Sequence, residues 1–275
     1  MLPRFLAAID PVSETARLSG DEARHLTQVL RLGTGDEIVV FDGAGGEFRA
    51  RVEQVGRDGA SVRLVEALVP ASEPAVRVTL AQAALKGEKM DDVVRDATMM
   101  GVTAIEPLIT DHTAAHLKAG RAPERWRRIA IASAKQCRRA VVPRIGDGVA
   151  FRDWLARDPS ELKLLLVEPT AQIADSATPK RGLSPFSETG AGEKRGLSPF
   201  SEMGLGEKRG LSPFSGVVPA SATVLIGPEG GWSAAEVDAA VAAGYLPITF
   251  GRRTLRADAM PIVALGVLQF LWGDL

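Results

Sequence analysis

Cysteine, tyrosine and histidine are nearly missing: 275 residues contain one Cys, one Tyr and three His. A lone Cys137 excludes an internal disulfide and fits a reducing compartment, so a cytoplasmic location is expected. The histidines are His25, His112 and His116. The last two stand four apart but lack the His-Glu-x-x-His pattern and any nearby cysteine, and no metal site is expected. No run reaches the roughly 18 apolar residues of a membrane span, and Met1 to Leu6 shows no basic segment leading into a long apolar stretch. Neither a membrane partner nor a secretory leader is expected. A dominant charge sign is missing too. The 33 basic and 34 acidic residues give a net charge of −1, which by itself argues against a protein that coats polyanions.

What is present begins with a repeat. Lys-Arg-Gly-Leu-Ser-Pro-Phe-Ser opens at Lys180, Lys194 and Lys208, a period of 14 residues. The period is too short for a helical solenoid. Gly, Pro and Ser dominate each copy, so little apolar surface is available to offset ordering entropy. Residues 180–216 read as a low-complexity insertion rather than an RNA-binding arm. Without its 37 residues the chain has 238, with 27 basic and 30 acidic.

The remainder has two grammars. Residues 1–70 read as short strands around one helix. Ser19-Gly20-Asp21-Glu22 has the form of a capping box, opening a helix to about Leu30. Glu37 to Phe41, Glu47 to Gln54 and Ser61 to Glu66 alternate or are β-branched between Gly-rich turns, which predicts a small barrel. Pro70-Ala71-Ser72-Glu73-Pro74 reads as a linker. Residues 76–275 alternate strand and helix. Strands are expected at Val76 to Ala84, Val102 to Leu108, Leu162 to Val167, Thr223 to Ile226 and Leu246 to Phe250. Helices are expected at Glu88 to Met100, Pro123 to Arg139, Ser233 to Ala243 and Asp258 to Trp272. This predicts an α/β domain with a mostly parallel sheet, whose ligands bind beyond the strands' carboxyl ends. The last helix is apolar nearly all round, which predicts burial between subunits.

Two stretches carry chemistry. Leu225 to Ser233 runs a buried strand into Gly227-Pro228-Glu229-Gly230-Gly231, and Ser233 to Glu236 forms another capping box. Glycines there let backbone groups approach a ligand. The loop is neither a dinucleotide fingerprint nor a phosphate loop, since no Gly-Lys-Ser/Thr follows. Phe250 to Asp258 also follows a strand and brings Arg252, Arg253 and Arg256 ahead of the apolar helix. A third feature is charge: Arg121 to Arg144 holds eight basic residues and one acidic, with Arg125, Arg128, Lys135 and Arg139 at helical spacings. That concentration points to RNA phosphates. Arg24, Gln28 and Arg31 form a weaker stripe.

With these motifs in order, the chain resembles the RsmE family of ribosomal RNA methyltransferases in the SPOUT superfamily. The likeness takes in His25-Leu26, Val29-Leu30-Arg31, Phe41-Asp42-Gly43, Lys86 to Met90, Gln136-Cys137 with Arg139, Gly227 to Gly231, and Gly251 through Leu255-Arg256. It implies an N-terminal PUA-like β-barrel that binds RNA, a C-terminal SPOUT α/β domain with a deep trefoil knot, and a homodimer. The implied reaction is S-adenosylmethionine-dependent methylation of N3 of a uridine in small-subunit (16S) ribosomal RNA, free or in the assembled subunit. The cofactor would meet Val167, Ile226, Gly227, Glu229, Gly230, Gly231, Gly251, Leu255 and Arg256. Arg256 would stabilise the developing uracil anion, and Glu229 would be a proton acceptor or a loop-positioning group. RNA would meet Arg24, Arg31, Lys89, Arg125, Arg128, Lys135 and Arg139. The chain departs from the family at Ala257-Asp258 and Lys135. The alternative is a non-catalytic RNA-binding or ribosome-assembly protein that keeps the fold.

Overall fold

In the first five strands alternate side chains turn inward, and the strands close on themselves. The computed structural model describes residues 2–113, 121–169 and 218–272. Strands β1 (Arg4–Asp10), β2 (Thr15–Ser19), β3 (Glu37–Phe41), β4 (Glu47–Gly56) and β5 (Gly59–Ala67) form a closed barrel in the order β1-β2-β5-β4-β3. Phe5, Leu18, Ile38, Val40, Val52 and Val62 fill it. The helix between β2 and β3 begins as expected in α1 (Gly20–Arg24) and then widens into a π turn at His25–Val29, which adds Leu26 to the core. The capping box is half made: Ser19 Oγ accepts the Glu22 N–H at 3.4 Å, while the Glu22 carboxylate holds Lys135 instead. Alternation alone did not reveal β1 and β2, because Pro11 to Glu14 breaks the pattern within a few residues.

The second part is a sheet of seven strands among the described residues. These are β6 (Arg77–Ala83), β7 (Ala104–Ile109), β8 (Arg144–Ile145), β9 (Val149–Ala150), β10 (Leu162–Leu166), β11 (Ser221–Ile226) and β12 (Leu246–Ile248). All pair in parallel in the order β12-β10-β11-β6-β7-β8, with β9 also on β7. Parallel strands need helical crossovers, so both faces are covered. Leu80, Ile105, Leu164 and Val224 pack with α2 (Lys89–Met99), α3 (Arg121–Cys137) and α6 (Met260–Trp272). Leu108, Leu165 and Leu225 pack with α4 (Phe151–Arg157), which sequence reasoning missed, and with α5 (Ala234–Ala242). A knot belongs to the whole chain path. Residues 170–217, which join β10 to β11 and contain the repeats at 180–216, lie outside the described residues.

Helix α6 divides by face within the single chain. Ala264, Leu265 and Leu268 are buried, whereas Ile262, Val263 and Phe270 remain 38–47% exposed. One apolar face is spent on the sheet and α2; the other is half-exposed. No helix among the described residues is long and apolar enough to cross a membrane.

Candidate functional site

The carboxyl ends of β10, β11 and β12 meet in a cavity of about 470 Å³, within the range of small-molecule sites. Three loops line it: Leu166 to Pro169, Ile226 to Trp232, and Arg253 to Asp258, with Phe250 and Met260 beside the last. The glycine loop is shaped by close approach. A Cβ on Gly227 would lie 3.2 Å from the Trp232 ring, and Gly231 takes φ +70°, which an L side chain rarely adopts. Trp232 then ties two loops together, its indole N–H donating to the Leu166 carbonyl at 2.9 Å.

Beyond the loop, Ser233 caps α5 in a complete capping box with Glu236. The buried Glu236 carboxylate also accepts the Asp111 N–H at 2.8 Å, and Ser233 Oγ donates to Asp111 Oδ2 at 2.7 Å. His112 Nδ1 lies 3.0 Å from the Gly231 carbonyl oxygen. The loop is therefore fixed from both the β7 and the β10 sides before any ligand arrives. Preorganisation of this kind reduces the ordering cost of binding.

Of the residues expected to touch cofactor, Val167, Ile226, Gly227, Glu229, Gly230, Gly231, Leu255 and Arg256 line the cavity. Gly251 does not; at φ +76° it shapes the turn out of β12. Sequence reasoning missed Trp232, Phe250 and Met260 as lining residues. For Trp232 a signal existed, an aromatic directly after two glycines.

The charged groups are mostly paired. Glu229 Oε1 accepts from Lys89 Nζ at 2.8 Å and from the Lys86 N–H at 3.3 Å. Partial burial pushes this carboxyl up, but the Lys89 bond, its own backbone N–H and Lys86 outweigh that and hold it below its ordinary value. A carboxylate so stabilised is a weak proton acceptor. Arg256 and Asp258 form a two-point pair, Nε to Oδ1 at 3.0 Å and Nη2 to Oδ2 at 2.8 Å. The hydrogen bond with Arg256 lowers the Asp258 pKa and raises that of Arg256.

The expected RNA-facing set is not one exposed face. Arg139 lies beyond the end of α3 and is 5% exposed. Its guanidinium pairs with Glu73 and donates to the Thr98 carbonyl at 2.6 Å and the Val102 carbonyl at 3.1 Å. Arg139 is thus a buried clasp on the linker and not an RNA contact. The helical spacing failed because Arg138, at φ +66°, turns the chain out of the helix. Lys135 pairs with Glu22 at 2.7 Å, both side chains 15% exposed, and so joins α3 to the barrel. Arg125 pairs with Asp91 and Glu88, and Arg24 with Asp21. The π turn and the left-handed Arg31, φ +57°, break the Arg24, Gln28, Arg31 stripe. Arg31 and Arg128 are exposed.

S-adenosylmethionine needs an apolar shelf, backbone groups close enough to read a base and an amino acid, and no phosphate clamp. Val167, Ile226, Pro228, Leu255 and Met260 supply apolar walls, and Gly227 and Gly230 leave space that a Cβ would contest. The residues present fit the group.

Comparison with known proteins agrees with this architecture. A sequence profile described as an RNA methyltransferase domain matches residues 72–185 and 205–269, and one described as an RNA methyltransferase PUA domain matches residues 18–65. Ribosomal RNA small subunit methyltransferase E of Synechocystis is 30% identical, over 98% of this chain and 78% of that protein. The Bacillus subtilis protein of the same name is 26% identical, over 93% and 90%. The crystal structure of ribosomal RNA small subunit methyltransferase E from Neisseria gonorrhoeae bound to S-adenosyl methionine superposes with a TM-score of 0.75 at 28% identity, covering 99% of this chain and 98% of that one. With its PUA-like barrel and parallel α/β domain, the chain belongs to the ribosomal RNA small subunit methyltransferase E family.

Proposed function

We propose that the chain transfers a methyl group from S-adenosylmethionine to N3 of a specific uridine in small-subunit (16S) ribosomal RNA, acting as a homodimer in the cytoplasm. The observation that carries this reading is the cavity at the ends of β10, β11 and β12, with its apolar walls and fixed glycine loop. The bound cofactor supplies a methyl group on a cationic sulfur.

The chain's own residues must manage the nucleophile. The N3–H bond of uracil, a weakly acidic imide, breaks as the N3–CH3 bond forms and the methyl–sulfur bond breaks, so the proton passes to solvent water and the negative charge that grows on the ring must be supported. A cation held in advance provides such support without reorganising during the reaction. Arg256 is the group we assign to this, oriented by its two-point pair with Asp258. Asp258, at a position where the chain departs from the family pattern, makes both bonds of this pair. Glu229, ionised and held by Lys89, we assign to fixing the glycine loop rather than to taking the proton. Reaching N3 requires an unpaired or flipped uridine.

The half-exposed apolar residues Ile262 and Val263 of α6 support the dimer, and the lone cysteine supports a reducing location. Calorimetric titration with S-adenosylmethionine tests the reading: saturable binding supports it, and no binding at millimolar cofactor favours the non-catalytic alternative.

A further inference from the structure

Three cations line the cavity, Lys89, Arg253 and Arg256. Two already have a carboxylate partner within the chain, Lys89 with Glu229 and Arg256 with Asp258. Arg253 is exposed and makes no hydrogen bond or ion pair with any described residue. Its neighbour Arg252 is equally exposed but does not line the cavity. From this we infer that Arg253 is a substrate-binding residue: its guanidinium holds the phosphate next to the target uridine where the RNA enters the cavity. The inference rests on the proposed function and extends it to a residue of the Arg253 to Asp258 loop to which the sequence assigns no role.

The reasoning is a matter of charge and place. A guanidinium already paired with a carboxylate has its charge partly offset and fewer N–H donors left to offer, whereas an unpaired one presents its full charge and all its donors to a phosphate. A nucleotide turned out of its strand brings its phosphates to the edge of the pocket, not into it. Arg253 stands on the loop that forms this edge, two residues from Leu255 and three from Arg256. The apolar walls face the cofactor, and Arg256 faces the base in the proposed reaction; Arg253 is left for the backbone.

The test compares the unaltered chain with Arg253→Ala and Arg252→Ala, using 16S ribosomal RNA or small subunits as substrate. For Arg253→Ala, KM for RNA is expected to rise roughly tenfold and the salt dependence of RNA binding to lose about one unit of slope. The kcat and the S-adenosylmethionine affinity measured by calorimetry should remain unchanged. Arg252→Ala should move KM far less. The assignment is overturned if both variants behave alike, if kcat alone falls, or if Arg253→Ala weakens cofactor binding, which would place the guanidinium on the cofactor's carboxylate. If the unaltered chain neither binds nor methylates the RNA, the functional reading itself fails and takes this assignment with it.

Discussion

Glu229 Oε1 and Lys89 Nζ lie 2.8 Å apart, joining the glycine loop after β11 to the first turn of α2. The side chains are 29% and 35% exposed, so the pair adds about 0.5–1 kcal/mol. Because the folded pKa of Glu229 is depressed, this contribution is present above the unfolded carboxylate value and is lost as pH falls through the folded value. Lys89→Ala should therefore lower stability at neutral pH by about that amount. Urea unfolding at neutral and at strongly acid pH checks this: the difference between variant and unaltered chain should vanish in acid.

Arg256→Ala should abolish methyl transfer while leaving S-adenosylmethionine affinity within a few-fold, because the side chain is 72% exposed and its described partner is Asp258. Single-turnover kinetics with calorimetry separates the two effects, and retained turnover would remove Arg256 from the mechanism.

Arg139 holds Glu73 and two backbone carbonyls in a site it nearly fills. Arg139→Ala leaves a partly buried carboxylate and two carbonyls without their donor, a loss of about 3 kcal/mol. Denaturant unfolding should show it as a lower midpoint. Salt dependence of RNA binding should not change, in contrast to what a phosphate contact would give.

The barrel strands β3 to β5, the parallel sheet and the glycine loop were legible because each rests on a short-range rule: alternation, burial on both faces, or a turn that only glycine permits. The charge pattern misled. Helical spacing put Arg125, Lys135 and Arg139 on one face, but spacing does not reveal Asp91, Glu22 and Glu73, acids distant in sequence that fold against them. The sequence shows Arg253 in an arginine-rich turn but assigns it no role, for the converse reason. Its significance lies in having no partner, a property that only the folded surroundings define. Helix α4 was missed because Phe151 to Arg157 makes only two turns.

Deleting 180–216 should leave folding and cofactor binding intact, since Gly, Pro and Ser dominate the copies and leave little apolar surface to bury; the family match itself breaks within them, at 186–204. Circular dichroism and cofactor titration of the shortened chain check this, and loss of folding would contradict the reading of these repeats as an insertion.

The central claim is methylation of one uridine at N3, and mass mapping of nucleosides in 16S ribosomal RNA tests it most directly. RNA from a strain lacking this protein should lose a single N3-methyluridine, regained with the unaltered chain but not with Arg256→Ala. An unchanged methylation pattern in the deletion strain would contradict the account.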